Sequence, residues 1–117
     1  MYNKTIGAFL PEHKVSRVSC LECLDNKAQS YKRRGYDVKA DLSDYSRPSK
    51  IQGLVPDLRA KRGEKIIIGK IVTEENIDLN RIRWKKFVNH AAQNENVSFR
   101  LYLASENGQS SLLHIFE

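Results

Sequence analysis

Long apolar runs are absent from this chain of 117 residues, and cysteine and proline are scarce. No segment approaches the roughly 20 consecutive apolar residues that a membrane-spanning helix requires. The first residues, MYNKTIGAFLPEHK, contain too short an apolar run for a secretory signal peptide. These absences predict a cytoplasmic protein with no membrane among its partners.

The chain contains only two cysteines, Cys20 and Cys23, and both lie in a segment with a helical pattern. A zinc site would need two further ligands at a regular spacing, and no second pair follows them. We therefore predict two reduced thiols and no zinc. We also predict that the scattered histidines pack or face solvent: His13, His90 and His114.

A hydrophobic fraction of 40% with 29% charged residues is ordinary for a folded globular protein. A chain of this length builds one compact core and is too short for two independently stable domains. Residues 1–14 carry Gly7 and Pro11 without a clear period, which is typical of an irregular arm. The sequence therefore predicts a single domain over residues 1–117 with an irregular N-terminal arm over residues 1–14.

Positive charge is in excess, with a formal net charge of +6. Such a balance favours the approach of polyanions and raises encounter rates with them. The basic residues fall in three groups along the chain, which are either three solvated faces or, if they converge on one surface, a nucleic-acid site. From these groups we select the following candidate nucleic-acid contacts: Arg34, Arg59, Lys61, Arg62, Lys85 and Lys86.

Hydrophobic periodicity predicts an α-β-β-β-α-β order. Apolar residues recur three or four apart from Val15 onwards, and Gly35 is well placed to end this first helix. A second helical pattern lies within residues 73–96, and the apolar tail after residue 109 suggests a short closing helix. Alternation or a β-branched run predicts strands at residues 36–42, 54–60, 66–73 and 98–104.

The apolar positions of these elements predict the hydrophobic core. Trp84 lies on an otherwise apolar helical face, so we interpret it as a core residue rather than a platform for a stacked base. The other predicted core residues are Leu21, Leu24, Val38, Leu54, Ile66, Ile68, Phe87, Val88, Leu101 and Leu103.

Two neighbouring segments carry a resemblance to a known family. A strand opening with Pro-Asp and followed by a hairpin, GLVPDLRAKRGEK, leads into the apolar strand IIIGKIVT. Together with the element order, this resembles the PD-(D/E)xK nuclease superfamily. The resemblance implies a restriction-endonuclease-like α/β fold, with a central mixed sheet flanked by helices. It also implies an aspartate and a glutamate on neighbouring strands that hold Mg²⁺, and a lysine that orients the attacking water.

By this resemblance Asp57 falls on the metal-binding aspartate, although a residue at this place also commonly bonds nearby backbone. The second acid is missing in either possible alignment. If Lys70 is the catalytic lysine, Ile68 stands at the acidic position; if the alignment follows the threonine, Lys70 replaces the acid and Val72 the next charged residue. A relocated carboxylate would have to supply the missing ligand, with Glu22 the first candidate and then Glu74 or Glu75.

These observations leave three functions open. The first is a nuclease-fold protein that is catalytically impaired and binds nucleic acid or a partner through its basic surface. The second is an active Mg²⁺-dependent endonuclease that uses Asp57, Lys70 and Glu22, and the third is a small assembly protein that uses the fold as a scaffold. No cofactor is expected unless the protein is a nuclease, in which case Asp57 would bind Mg²⁺. A homodimer is left open.

Overall fold

The computed structural model describes residues 15–117 of the chain, so the predicted arm over residues 1–14 lies outside the described residues. None of the helices between residues 15 and 117 has the length and apolar character needed to cross a membrane. The elements are α1 (Arg17–Arg33), β1 (Asp37–Ala40), β2 (Leu58–Arg62), β3 (Lys65–Val72), α2 (Arg81–Gln93), β4 (Val97–Ala104) and β5 (Ser110–Phe116).

The strands form one five-stranded sheet in the order β1-β2-β3-β4-β5. β3 and β4 run parallel, whereas the other three neighbouring pairs are antiparallel. The parallel pair is joined through α2, because parallel neighbours need a crossover connection rather than a tight turn. The predicted α/β class is therefore confirmed as a mixed sheet with two helices.

The helices cover opposite faces of the sheet and create two hydrophobic clusters. The α1 cluster contains Leu24, Ala28, Tyr31, Tyr36, Ala40, Leu58, Ala60 and Ile67. The α2 cluster contains Ile68, Val72, Phe87, Ala91, Val97, Phe99 and Leu101. Because successive side chains of a strand point to opposite faces, the apolar run of β3 contributes to both clusters.

A serine cap begins α1, and a glycine follows its last turn. Ser16 caps its first turn, where the hydroxyl accepts a hydrogen bond from the Ser19 N–H at 3.0 Å. Gly35 follows the last turn with φ +88°, a conformation that favours glycine. The helix then leads directly into β1 at the end of the sheet where β2 turns into β3, which we call the hairpin end.

Two sequence predictions of secondary structure were wrong. The tail predicted as a short helix is β5, which pairs with β4 and shows a register shift between Leu101 and Tyr102. The strand predicted at residues 54–60 begins only at Leu58. Pro56 explains the late start, because a proline has no N–H to donate to a neighbouring strand.

The predicted core is largely correct except for Leu21, which is 41% exposed. Leu21 lies at the margin of the α1 stripe, whose centre is occupied by Leu24, Ala28 and Tyr31. Four predicted residues are buried: Leu24, Ile68, Phe87 and Leu101. The remaining ones are half-buried, namely Val38, Leu54, Ile66, Trp84, Val88 and Leu103.

Gly69 provides a test of the packing between β2 and β3. A Cβ atom at this position would lie 3.2 Å from both Cβ and Cδ2 of Leu58, which is itself buried. We expect Gly69→Ala to lower the free energy of unfolding by about 1–3 kcal/mol, the usual cost of overpacking. Urea denaturation measures this change, and the penalty should shrink in a Leu58→Ala background. A stabilised Gly69→Ala variant would contradict this packing.

Candidate functional site

Asp57 lies immediately before β2 and forms hydrogen bonds with the backbone of β3 through both its own backbone and its side chain. Leu58 is the first residue of β2 and pairs with Gly69, so β3 extends beyond the start of β2. The Asp57 N–H donates to the Gly69 carbonyl at 3.1 Å, and Oδ2 of its side chain accepts from the Ile71 N–H at 2.8 Å. The carboxylate thus satisfies a strand N–H that β2 does not reach.

Lys70 contacts the other oxygen of the same carboxylate. Its Nζ lies 3.4 Å from Asp57 Oδ1, and the exposed fractions of the Lys70 and Asp57 side chains are 25% and 19%. Burial raises the pKa of Asp57, while the Lys70 ammonium and the Ile71 N–H act in the opposite direction. The net direction is upward, because desolvation of the charged form outweighs the two favourable contacts.

This pair opens into a cavity of about 510 Å³ between the N-terminal half of α1 and the ends of the strands. Cys20 lines the cavity, and burial together with the nearby Cys23 and Asp57 raises the pKa of its thiol. This shift disfavours the thiolate, which is the form in which a cysteine acts as a nucleophile. The other polar lining residues of the cavity are Arg17, Asp41, Thr73, Glu75 and Asn76.

The Asp57 site does not fit a Mg²⁺ ion. Both carboxylate oxygens already have partners, and the Lys70 ammonium would repel a dication. Asp41 and Glu75 line the same cavity, but within residues 15–117 no group of three acidic, histidine or cysteine side chains is arranged to hold a metal. Magnesium would require a rearrangement of the Asp57 contacts.

The two positions where the resemblance would put an acid or a charge are occupied by buried apolar residues. Ile68 and Val72 are 1% and 0% exposed, respectively, and both pack in the α2 cluster. Neither position points into the cavity that Lys70 lines. A carboxylate at residue 68 or a lysine at residue 72 would therefore replace core packing.

The proposed replacement acids lie at different places. Glu22 packs beside the β4–β5 turn, where a Cβ on Gly108 would meet its Cβ at 3.3 Å, and it does not line the Asp57 cavity. Glu74 lines a separate groove with Glu106, whereas Glu75 does face the Asp57 cavity.

Asp41 lines the same cavity as Asp57 and was not among the predicted site residues. Its N–H donates to the Asp57 carbonyl at 2.9 Å, which holds it next to Asp57, and its side chain pairs with Arg47 at 3.4 Å. The available signal was its position one residue beyond β1. Because Ala40 pairs with Leu58 in the antiparallel register, the next residue of β1 must lie beside Asp57.

The six candidate nucleic-acid contacts do not all converge. Arg34 and Arg62 meet at the hairpin end, where Arg62 Nη1 donates to the Arg34 carbonyl at 2.8 Å. Arg59 and Lys61 pair with Ile68 and Ile66 in the sheet and share the α2 face with them. Lys85 and Lys86 lie on α2 itself.

Comparisons with known proteins add no relative: no protein-family model, no curated protein and no solved structure matches this chain.

The raised pKa of Asp57 predicts a pH-dependent stability. The folded chain keeps a proton on Asp57 at pH values where the unfolded chain has lost it, so this contribution is present below about pH 4 and is lost as pH rises through the folded pKa. Asp57→Asn lacks this titration. The unfolding free energy of the native chain minus that of Asp57→Asn should therefore fall as pH rises.

Urea titrations at a series of pH values measure this difference. Asp44→Asn is the matched control, because it removes one negative charge from an exposed loop residue. A difference between native chain and Asp57→Asn that stays constant or grows with pH would contradict the dominance of desolvation at Asp57.

Proposed function

We propose that this chain is a catalytically impaired member of the PD-(D/E)xK nuclease superfamily that binds nucleic acid rather than cutting it. The observation that carries the proposal is the contact between Lys70 Nζ and Asp57 Oδ1 at 3.4 Å. A cation fixed to the chain takes the position next to the aspartate where, by resemblance, the family holds a metal ion. An ammonium satisfies the aspartate but supplies neither a coordinated water nor a Lewis acid.

The topology supports the family assignment. Along the chain α1 precedes an antiparallel β1-β2-β3 meander, and α2 leads to β4, which is parallel to β3. This is the α-β-β-β-α-β order that the resemblance implies, with β5 added at the edge. Asp57 lies immediately before β2 and Lys70 lies on the adjacent strand β3, so the two side chains meet in one site.

The positive charge supports nucleic acid as the partner. The chain carries a net charge of +6, and at the hairpin end Arg34 and Arg62 are both exposed. Phosphate contacts by such residues release condensed counterions, which gives affinity without sequence recognition. Retained binding with lost catalysis accounts for both the basic surface and the Asp57–Lys70 pair.

We expect the purified protein to bind DNA or RNA at low salt and to leave it uncut in the presence of Mg²⁺. Fluorescence anisotropy measures the binding, which should weaken steeply between about 50 and 200 mM salt. Gel analysis of labelled strands measures cleavage. An absence of binding would favour the scaffold function, whereas Mg²⁺-dependent cleavage abolished by Asp57→Ala would reveal an active nuclease and direct attention to Asp41 and Glu75.

The placement of Lys70 predicts that one substitution creates metal affinity. Lys70→Glu should bring a second carboxylate next to Asp57 and remove the repelling cation, so Mg²⁺ should stabilise this variant by about 2.7 kcal/mol at 100 times its dissociation constant. Adding Val72→Lys, as the threonine alignment suggests, would bury an ammonium in the α2 cluster and is omitted.

Thermal unfolding with increasing Mg²⁺ concentration measures the effect. Lys70→Gln is the matched control, since it removes the same cation without adding a carboxylate. The proposed correspondence between Lys70 and the family's acidic position would be wrong if Mg²⁺ shifted both variants equally.

A further inference from the structure

Two arginines at the hairpin end are held in fixed positions by the fold. The stem of Arg62 crosses Gly35, where an added Cβ would lie 3.8 Å from Arg62 Cδ. Its guanidinium carbon lies 4.6 Å from the ring centre of Tyr36, and that of Arg34 lies 5.6 Å from the same ring and 4.7 Å from the ring of Tyr31. Stacking on tyrosine fixes the orientation of a guanidinium and reduces the entropy lost when it binds a ligand.

The tyrosine rings that support these arginines are themselves anchored. The hydroxyl of Tyr31 lies 2.6 Å from that of Tyr102, and it accepts a hydrogen bond from Arg100 at 3.0 Å. Tyr31 and Tyr36 meet edge to face with ring centres 5.2 Å apart. The arginine pair is therefore supported by two buried tyrosine rings, of which Tyr31 is hydrogen-bonded through its hydroxyl, rather than by a loop.

Lys65 adds a third cation at the same place. Lys65 pairs with Arg62 across the β2–β3 hairpin. Burial alone would raise the pKa of Tyr36, yet the charges of Lys65, Arg62 and Arg34 lower it overall. The Tyr36 hydroxyl thus experiences a positive field from three side chains. Four acidic residues lie nearby, and all are exposed: Asp37 along the chain, and Glu64, Glu95 and Glu117, which line a groove together with Lys65. None of them makes an ion pair with Arg34, Arg62 or Lys65.

The arrangement favours contact with phosphates over contact with bases. Proteins that bind single strands stack bases on exposed aromatic rings, whereas Tyr31 and Tyr36 are buried and have guanidinium groups over their faces. Planar guanidiniums match the oxygens of a phosphate in a bidentate manner. A duplex, which presents its phosphates outwards and its bases inwards, fits such a surface.

We propose that Arg34, Arg62 and Lys65 form a phosphate-binding surface for the backbone of duplex nucleic acid, at the end of the sheet opposite Asp57. This inference rests on the proposed binding of nucleic acid and adds its location. The duplex then lies away from the Asp57 cavity, and its sequence is not read.

The C-terminus of α1 accounts for only part of this positive charge. A helix C-terminus carries about half a negative charge, and Lys32 and Arg33 already lie in the last turn of α1. Arg34 is the C-cap residue, and Arg62 of the β2–β3 hairpin donates one N–H to its carbonyl, which leaves the other N–H groups of the Arg62 guanidinium for a ligand. The positive charge of these side chains together with Lys65 therefore exceeds what the helix dipole requires.

The test compares duplex binding by the native chain and by an Arg34→Gln, Arg62→Gln variant, using a short labelled DNA duplex of mixed sequence. Each phosphate contact contributes about 0.9 to the slope of log affinity against log salt, so the slope should fall by about 2 and the affinity at 50 mM salt by about 100-fold. An Arg81→Gln, Arg83→Gln variant of α2 is the matched control, because it removes two exposed arginines elsewhere that are not among the candidate contacts. Circular dichroism verifies folding, and Arg62→Gln alone serves if the double variant does not fold.

A local readout accompanies the affinity. Phosphates bound beside Lys65 and Arg62 offset the field of these cations, so duplex binding should raise the pKa of Tyr36, as followed by NMR. Loss of affinity only in the hairpin-end variant, with this rise in the native chain, supports the proposal.

Equal losses in the hairpin-end and α2 variants, or a Tyr36 pKa that the duplex leaves unchanged, would overturn this location while nucleic-acid binding itself stands. Tighter binding to the matching single strand than to the duplex would overturn the duplex preference. If the native chain binds no nucleic acid, both this surface and the proposed function fail together.

Discussion

The backbone and side chain of Asp57 hold three strands together where they end. The Asp57 carbonyl accepts a hydrogen bond from the Asp41 N–H, just after β1. The Asp57 N–H donates to the Gly69 carbonyl of β3, and the Asp57 carboxylate accepts from the Ile71 N–H further along β3. The Asp57 carboxylate pairs with the Ile71 N–H at a position that β2 does not reach. Without it, this partly buried N–H would be unpaired, at a cost of about 1–3 kcal/mol. The atoms that would coordinate a metal are the same atoms that complete the sheet.

The contact between Lys70 and Asp57 is explained by the burial of the Asp57 carboxylate. Asp57 is mostly removed from solvent, which disfavours its charge, and a neighbouring ammonium partly compensates. In the proposed relation to metal-dependent nucleases, a cation from the chain and a cation from solution are alternatives at one carboxylate. The two ends of the sheet then differ in character: one encloses a charge pair in a cavity, and the other presents cations to solvent.

Local patterns in the sequence predicted α1, β3 and α2 well, because a helical stripe and a β-branched run are properties of neighbouring residues. The errors arose where a longer-range feature decided the structure. Tyr102 was not among the predicted core residues, yet α1 covers its face of the sheet and Tyr102 is buried against Tyr31. The tail became β5 because the edge of β4 was free to pair with it, which no local pattern reveals.

The same limit applies to the sites. Pro-Asp at the start of a strand indicated Asp57, and the apolar strand after the hairpin indicated Lys70, so this pair was predictable. The meeting of Arg34 with Arg62, which are 28 positions apart in the sequence, depends on the return of the chain and on the tyrosines beneath them. In the sequence Arg62 and Lys65 belong to one basic stretch with Arg59 and Lys61, whereas strand alternation places Arg62 on the face of the sheet opposite Arg59 and Lys61.

The order of strands in the sheet has a consequence for folding. Within residues 15–117 each strand after β1 lies beside the strand that precedes it in the chain, so each pairing closes a loop between consecutive strands. Short closures cost little chain entropy, which favours early formation of the β2–β3 hairpin. The parallel pairing of β3 with β4 must wait for α2 to cross the sheet. We therefore expect the hairpin that orients Arg62 and Lys65 to be among the first parts of the chain to acquire its native form.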